Sequence, residues 1–273
     1  MASDQALAFK FPPVVETVIG VQMQPIEGWT TAHAAWFWRE HLSEHFVTPS
    51  EHAPIRDMFE KFGPFASRLV PTAGGISFEA VPNRLWVQTE SGDRLVQLQQ
   101  TRFLINWRKR SSEYPSYGLL IEEFEEYFGK YTTFLDQAKL GRPSLNQWEI
   151  TYVDHIDIGP DSERSAPASW AGIARALGSP LEGVGSELPM DGLNLGWSFE
   201  IGPELGRLHI TVRLGMNRVT SSEKEVLIFN FTARGPISAA VDHRVGLEAG
   251  HDAINRAFAA FMTESIQESW GKQ

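Results

Sequence analysis

At 273 residues the chain can form one large domain or two smaller ones. Its 42% hydrophobic and 11% aromatic content supplies a substantial core and excludes a disordered chain. The formal charge of −10, from 24 basic and 34 acidic residues, argues against a broad nucleic-acid-binding face. The absence of cysteine excludes disulfides, thiolate metal sites and cysteine nucleophiles. The opening run MASDQALAFKFPP carries no signal-like apolar stretch, and no segment approaches the roughly 20 apolar residues of a membrane span. A cytoplasmic protein is the expectation.

In chain order, Pro12-Pro13 holds the start extended, and the β-branched run Val14 to Met23 reads as a strand. Thr30 or Thr31 caps a helix over Ala32 to Phe46, with Ala34, Trp38, Leu42 and His45 on one face. A second short helix is predicted from Pro54, carrying Ile55, Met58, Phe59 and Phe62 up to Gly63-Pro64. Turn signals at Gly74-Gly75, Pro82-Asn83 and Ser91-Gly92-Asp93 then separate strands at Leu85–Glu90, Leu95–Gln99 and Thr101–Lys109. Leu119 to Lys139 is a long amphipathic helix striped by Leu120, Phe124, Phe128, Tyr131 and Leu135.

Gly141-Arg142-Pro143-Ser144 breaks the pattern and places a boundary between residues 1–142 and 143–273. Past it the order repeats. Trp148 to Ile158 is a strand, Ser169 to Leu177 a short helix, and Ser179 to Asn194 a Gly/Pro-rich loop. Strands follow at Leu195–Ile201, Leu205–Leu214 and Val226–Thr232, then a long helix from Glu248 to Trp270. The expected fold is therefore α+β in two similar halves, a structural duplication. Each half runs strand, helix, antiparallel strands, long helix, with its sheet packed against the long helices.

Phosphate-loop, dinucleotide-fingerprint and nucleophile-elbow motifs are all missing, which weighs against the common enzyme classes. His41 and His45 stand one helical turn apart, a spacing at which two imidazoles can share a metal. The intervening Leu-Ser-Glu is not the zinc-protease order, and the pair reads more simply as the polar edge of an apolar stripe. No metal and no cofactor is expected. In Asp154-His155-Ile156-Asp157, alternation places Asp154 on the face of Trp148, Ile150, Tyr152 and Ile156, and His155 on the other. A carboxylate on an apolar face must find partners or shift its pKa.

The stretch from Leu95 to Tyr117 holds the contact residues. Phe103, Ile105 and Trp107 share one face, Arg102, Asn106 and Arg108 the other, and Gln97 and Gln99 line the preceding strand. Guanidinium and amide groups on adjacent strands can hold an anionic or peptide-like ligand. Arg207, His209 and Arg213 make a comparable face later in the chain. The expected ligand-binding set is Gln97, Gln99, Arg102, Asn106, Arg108, Tyr114 and Tyr117. As contact residues, Arg102 and Arg108 would be dispensable for folding.

The runs Pro-Pro-Val-Val-Glu at 12–16, Gln97-Leu98-Gln99, Asn106-Trp107-Arg108, Tyr114-Pro115-Ser116-Tyr117 and Glu149-x-x-Tyr152 together resemble a sporadically distributed, uncharacterised bacterial family of about this length. The closing Glu-Ser-Trp-Gly is similar to that family's tail. The resemblance brings no activity, catalytic residue or cofactor; a patchy distribution would suit an accessory or defence-associated module.

These features define a non-catalytic binding module that recognises a protein, a peptide or a small anionic ligand, through the sheet face or a groove between the halves. The alternative is an enzyme of unfamiliar class, with Asp154 or His155 as acid/base and Arg102 and Arg108 holding an anionic substrate. Its mark would be a perturbed carboxylate or histidine in a closed pocket within hydrogen-bond reach of one of those arginines.

Overall fold

The structure, a computed structural model, describes residues 9–62, 82–158, 170, 172–177, 192–217 and 224–272. Nine strands dominate it: β1 (Val14–Met23), β2 (Phe46–His52), β3 (Arg84–Thr89), β4 (Arg94–Gln99), β5 (Arg102–Arg108), β6 (Leu145–Asp157), β7 (Asn194–Gly202), β8 (Gly206–Asn217) and β9 (Lys224–Pro236). The helices are α1 (Thr31–Phe37), α2 (Tyr117–Gln137), α3 (His243–Phe261) and α4 (Glu264–Ser269).

All nine strands join one sheet in the order β2-β3-β4-β5-β1-β6-β9-β8-β7, with every neighbouring pair antiparallel. This corrects the expected two halves, each with its own sheet against a long helix. The pairing of β1 with β6, from Val14 opposite Asp154 to Met23 opposite Leu145, joins strands from either side of the predicted boundary at 142/143, with register shifts near its two ends. Both strands place apolar side chains on the same side: Ile19 and Val21 on β1, Trp148 and Ile150 on β6, all 1% exposed or less. Joining them continues one apolar face and leaves neither strand with an unpaired edge.

That apolar face carries the helices. Phe103 of β5 meets Phe124, Phe128 and Tyr131 of α2, with ring centroids 5.2–6.0 Å apart. Asp242 caps α3 by accepting from the Val245 amide at 2.8 Å, and α3 lies on β6, β8 and β9. Trp148 fixes that packing, because glycines surround its fully buried indole. A Cβ on Gly250 would stand 2.6 Å from the ring, and one on Gly246 would also overlap it. Large side chain and missing side chains thus fit as one unit.

Four local expectations change. The first helix gives way at Trp38–Leu42 to a π-helical turn, and β2 begins at Phe46, where the helix was expected to end. The residues from Pro54 onward are extended and contain no helix. At Ser169 to Leu177, the described residues hold only a 3-10 turn, Arg175–Leu177. The closing helix starts earlier, at His243, and is interrupted before α4 by Met262 and Thr263, whose backbones turn to bond Ile173 and Phe258. The Gly74-Gly75 turn and most of the 179–194 loop lie outside the described residues.

Candidate functional site

The second face of the sheet is polar, and its side chains form rows across the strands. Register places Gln99 opposite Arg102, Arg102 opposite Gln22, and Gln22 opposite Gln147, one row over β4, β5, β1 and β6. Three interstrand steps of about 4.8 Å span about 14 Å, the length of four to five extended residues at about 3.3 Å each. Residues 53–62 of the chain lie along this row as an extended segment.

The row reads the segment through its main chain. Gln99 accepts from the Ile55 amide at 2.8 Å and donates to the Ile55 carbonyl at 2.9 Å. Gln22 accepts from Met58 N at 3.3 Å. Gln147 donates to Met58 O at 2.7 Å and accepts from Glu60 N at 3.2 Å. Arg102 donates to Arg56 O at 3.1 Å and Arg207 to Lys61 O at 3.0 Å. These bonds replace the intrahelical ones that the predicted helix would have made, which is why the segment stays extended.

One side chain of the segment is bound as firmly. The Glu60 carboxylate, 7% exposed, meets Arg234 Nε at 2.5 Å, His209 Nε2 at 2.7 Å and Arg207 Nε at 3.4 Å. Burial pushes its pKa up, but the hydrogen bonds and charges of His209 and Arg234 outweigh that and hold it below the ordinary carboxylate value. Asp57 sits near the other end, accepting from Thr101 Oγ1 at 2.9 Å and lying 3.9 Å from Arg102 Nε.

The sequence-predicted contact residues divide between the two faces. Gln97, Gln99, Arg102, Asn106 and Arg108 are on the polar face, but they are spent on internal partners. Arg102 is 1% exposed and donates to Gln22 Oε1 at 2.5 Å. Gln97 accepts from Arg84 at 2.6 Å and donates to Asn106 at 2.7 Å, which donates to Glu16 at 2.6 Å. Arg108 donates to Gln88 at 2.7 Å and to Gly92 O at 3.2 Å. Arg102 and Arg108 are thus part of the folded framework.

Tyr114 and Tyr117 stand apart from these, on the helix-covered face, where they line a cavity of about 630 Å³ with Phe9, Tyr152, Asp154, His251, Asn255 and Phe258. Tyr114 and Tyr152 share a hydrogen bond at 3.2 Å, Tyr152 reaches His251 Nδ1 at 2.9 Å, and Asn255 reaches His251 Nε2 at 3.0 Å. Tyr117 stacks on the His251 ring at 3.9 Å. Ser116, with φ of 100°, turns the chain between the two tyrosines and caps α2.

Burial pushes the Asp154 carboxyl up to about 7. Burial lowers His251 to about 4, against a smaller opposing effect of Asp252. His155 faces the other side, lowered by burial and by Arg213. Arg102 and Arg108 are on the face opposite Asp154, and no arginine among the described residues lines the cavity.

His41 and His45 do not share a regular turn. The His41 ring packs on Phe37 and Phe134, and His45 lies in the turn before β2. Among the described residues, no group of three His, Asp or Glu side chains is placed to hold a metal.

Sequence reasoning missed Gln22, Gln147, Arg234 and Glu60 on the polar face, and His251 and Asn255 in the cavity. Alternation could have put Gln22 and Gln147 on the Arg102 face. Only the strand order makes them neighbours. Compared with protein-family models and with curated proteins, the chain matches none. Among the described residues, no helix is long and apolar enough to cross a membrane.

Proposed function

We propose that this protein is a non-catalytic binding module. It holds an extended stretch of polypeptide bearing one anchoring carboxylate across the polar face of its sheet, and its own residues 53–62 occupy the place in the absence of a partner. The observation that carries this reading is the row Gln99, Arg102, Gln22 and Gln147, whose polar groups hydrogen-bond to each other and to the main chain of the segment. A face that reads backbone accepts many sequences, and the Arg207, His209 and Arg234 nest adds selection for one carboxylate. A polypeptide partner in the cytoplasm belongs to the same proposal; the charge of −10 disfavours nucleic acid. The enzyme reading built on Asp154 is disfavoured, because the sheet separates that carboxyl from Arg102 and Arg108.

The test replaces residues 53–62 with a Gly-Ser run of equal length and adds the original ten-residue sequence as a labelled peptide. The peptide is expected to bind the replaced chain, more weakly as salt rises, and roughly tenfold more weakly when its Glu60 is Gln. The intact chain, already occupied, should bind far less. A replaced chain that unfolds cooperatively yet takes up no peptide sinks the proposal. If that chain does not fold, the intact Glu60→Ala chain serves, and failure of the peptide to compete for its loosened segment is equally decisive.

A further inference from the structure

The cavity on the helix-covered face has a sign and a shape of its own. Its volume of about 630 Å³ falls within the roughly 300–1,000 Å³ of small-molecule sites. The acidic groups lining it are Asp154 and Glu113, and Lys10 is the one basic residue with side chain at its wall among the described residues, besides neutral His251. Asp154 is 4% exposed, and no hydrogen-bond donor among the described residues reaches its carboxyl. The Tyr117 hydroxyl is also buried without a partner. A carboxyl at the cavity wall with no protein donor beside it is costly in a folded chain unless something else supplies the bond.

The walls are held in place rather than loosely draped. Lys10 N donates to Gly271 O at 3.0 Å and Phe11 N to Trp270 O at 2.9 Å, tying the start of the described chain to its end. Phe9 packs edge-on against Phe258 and Trp270, both at 5.8 Å between centroids. The chain Asn255–His251–Tyr152–Tyr114 satisfies its members among themselves. What is left facing the cavity is aromatic surface and the Asp154 carboxyl, with Glu113 and Lys10 also at the wall.

We propose that this cavity binds an organic cation: a protonated amine on an apolar body about the size of one or two rings, its ammonium paired with Asp154 and its body laid against Phe9, Tyr117 and Phe258. The ammonium supplies the donor that Asp154 lacks, and aromatic faces attract positive charge. A carboxylate ligand would face Asp154 with like charge, and the one cation at the wall among the described residues, Lys10, lies over the Phe11 ring at 5.1 Å. A neutral ligand of the same shape would fill the cavity and leave the carboxyl without a charged partner. The site is independent of the peptide reading, since it lies on the other face of the sheet.

Three probes of one shape decide it: phenylbutylamine, phenylbutanol and phenylbutyrate, measured by calorimetry on the intact protein at neutral pH. The amine is expected to bind roughly tenfold more tightly than the alcohol, with the carboxylate weakest, and its ring protons should show NOEs to Phe9 or Phe258. In Asp154→Asn, the advantage of the amine over the alcohol should vanish while both still bind. Equal binding of amine and alcohol to the wild-type protein overturns the proposal, as does an amine preference that survives in Asp154→Asn. If that variant does not fold, the wild-type ranking together with the NOEs carries the decision alone.

Discussion

Asp154 and His155 are adjacent in the chain and stand on opposite faces of one sheet. Asp154 points among the helices into a cavity, and His155 lies on the face that carries residues 53–62. Burial acts on both in the direction of neutrality, raising the acid and lowering the base. One strand therefore presents a carboxyl that titrates near neutral pH to one side and a neutral imidazole to the other.

The pH dependence of stability follows for Asp154. The folded pKa of about 7 stands above the ordinary value of about 3.9. Below about pH 4 the carboxyl is neutral in both states; as pH rises through 7, the folded state must carry a buried charge and stability falls. A gap of about three units corresponds to ~4 kcal/mol at most. Asp154→Asn should remove this penalty, so that its unfolding free energy exceeds that of the wild type by more at pH 8 than at pH 5. Denaturant melts at the two pH values test this, and a constant difference would contradict it.

His251 should work in the opposite direction. Its folded pKa of about 4 lies below the ordinary value of about 6.5. Its contribution to stability is complete above that ordinary value and is lost as pH falls through 4. An NMR titration of the imidazole resonances should show His251 unchanged between pH 8 and about pH 5.

Glu60→Ala would leave Arg207, His209 and Arg234 facing an empty place. Removing one partner of a buried charge cluster costs about 3 kcal/mol. The loss should be local as well as global, with hydrogen exchange rising first at the Met58 and Glu60 amides that Gln22 and Gln147 hold. Protection there that is unchanged would mean the glutamines alone fix the segment.

Arg102→Ala should destabilise the protein by about 3 kcal/mol, because the guanidinium is 1% exposed among Gln22, Glu149 and Asp57. Thermal unfolding of the purified variant measures it. This reverses the expectation that Arg102 is a dispensable contact.

Gly250→Ala should cost about 1–3 kcal/mol through overpacking, since its new methyl would stand 2.6 Å from the Trp148 ring and 2.9 Å from Ile150. A Trp148→Phe background, with a smaller ring, should recover part of that loss. A double-mutant cycle reads the coupling.

Much of this molecule follows from period alone. Two-residue alternation in Val14 to Met23, Thr101 to Lys109 and Trp148 to Ile158 determined which side chains share a face, and so separated Asp154 from His155 before any contact was known. The helical stripe of α2 was equally legible, because Leu120, Phe124, Phe128 and Tyr131 recur at the helix repeat. The tertiary structure decided what alternation cannot express. Strand order is a set of long-range choices, and the pairing of β1 with β6 turned two expected sheets into one. It also brought Gln22 and Gln147, 125 residues apart by subtraction of their numbers, into one row. The segment after Pro54 has helical spacing, but five side chains from distant strands satisfy its backbone better than its own turns would. Tyr117, at the start of α2, and His251, on α3, likewise meet only because both helices lie on one face of the sheet.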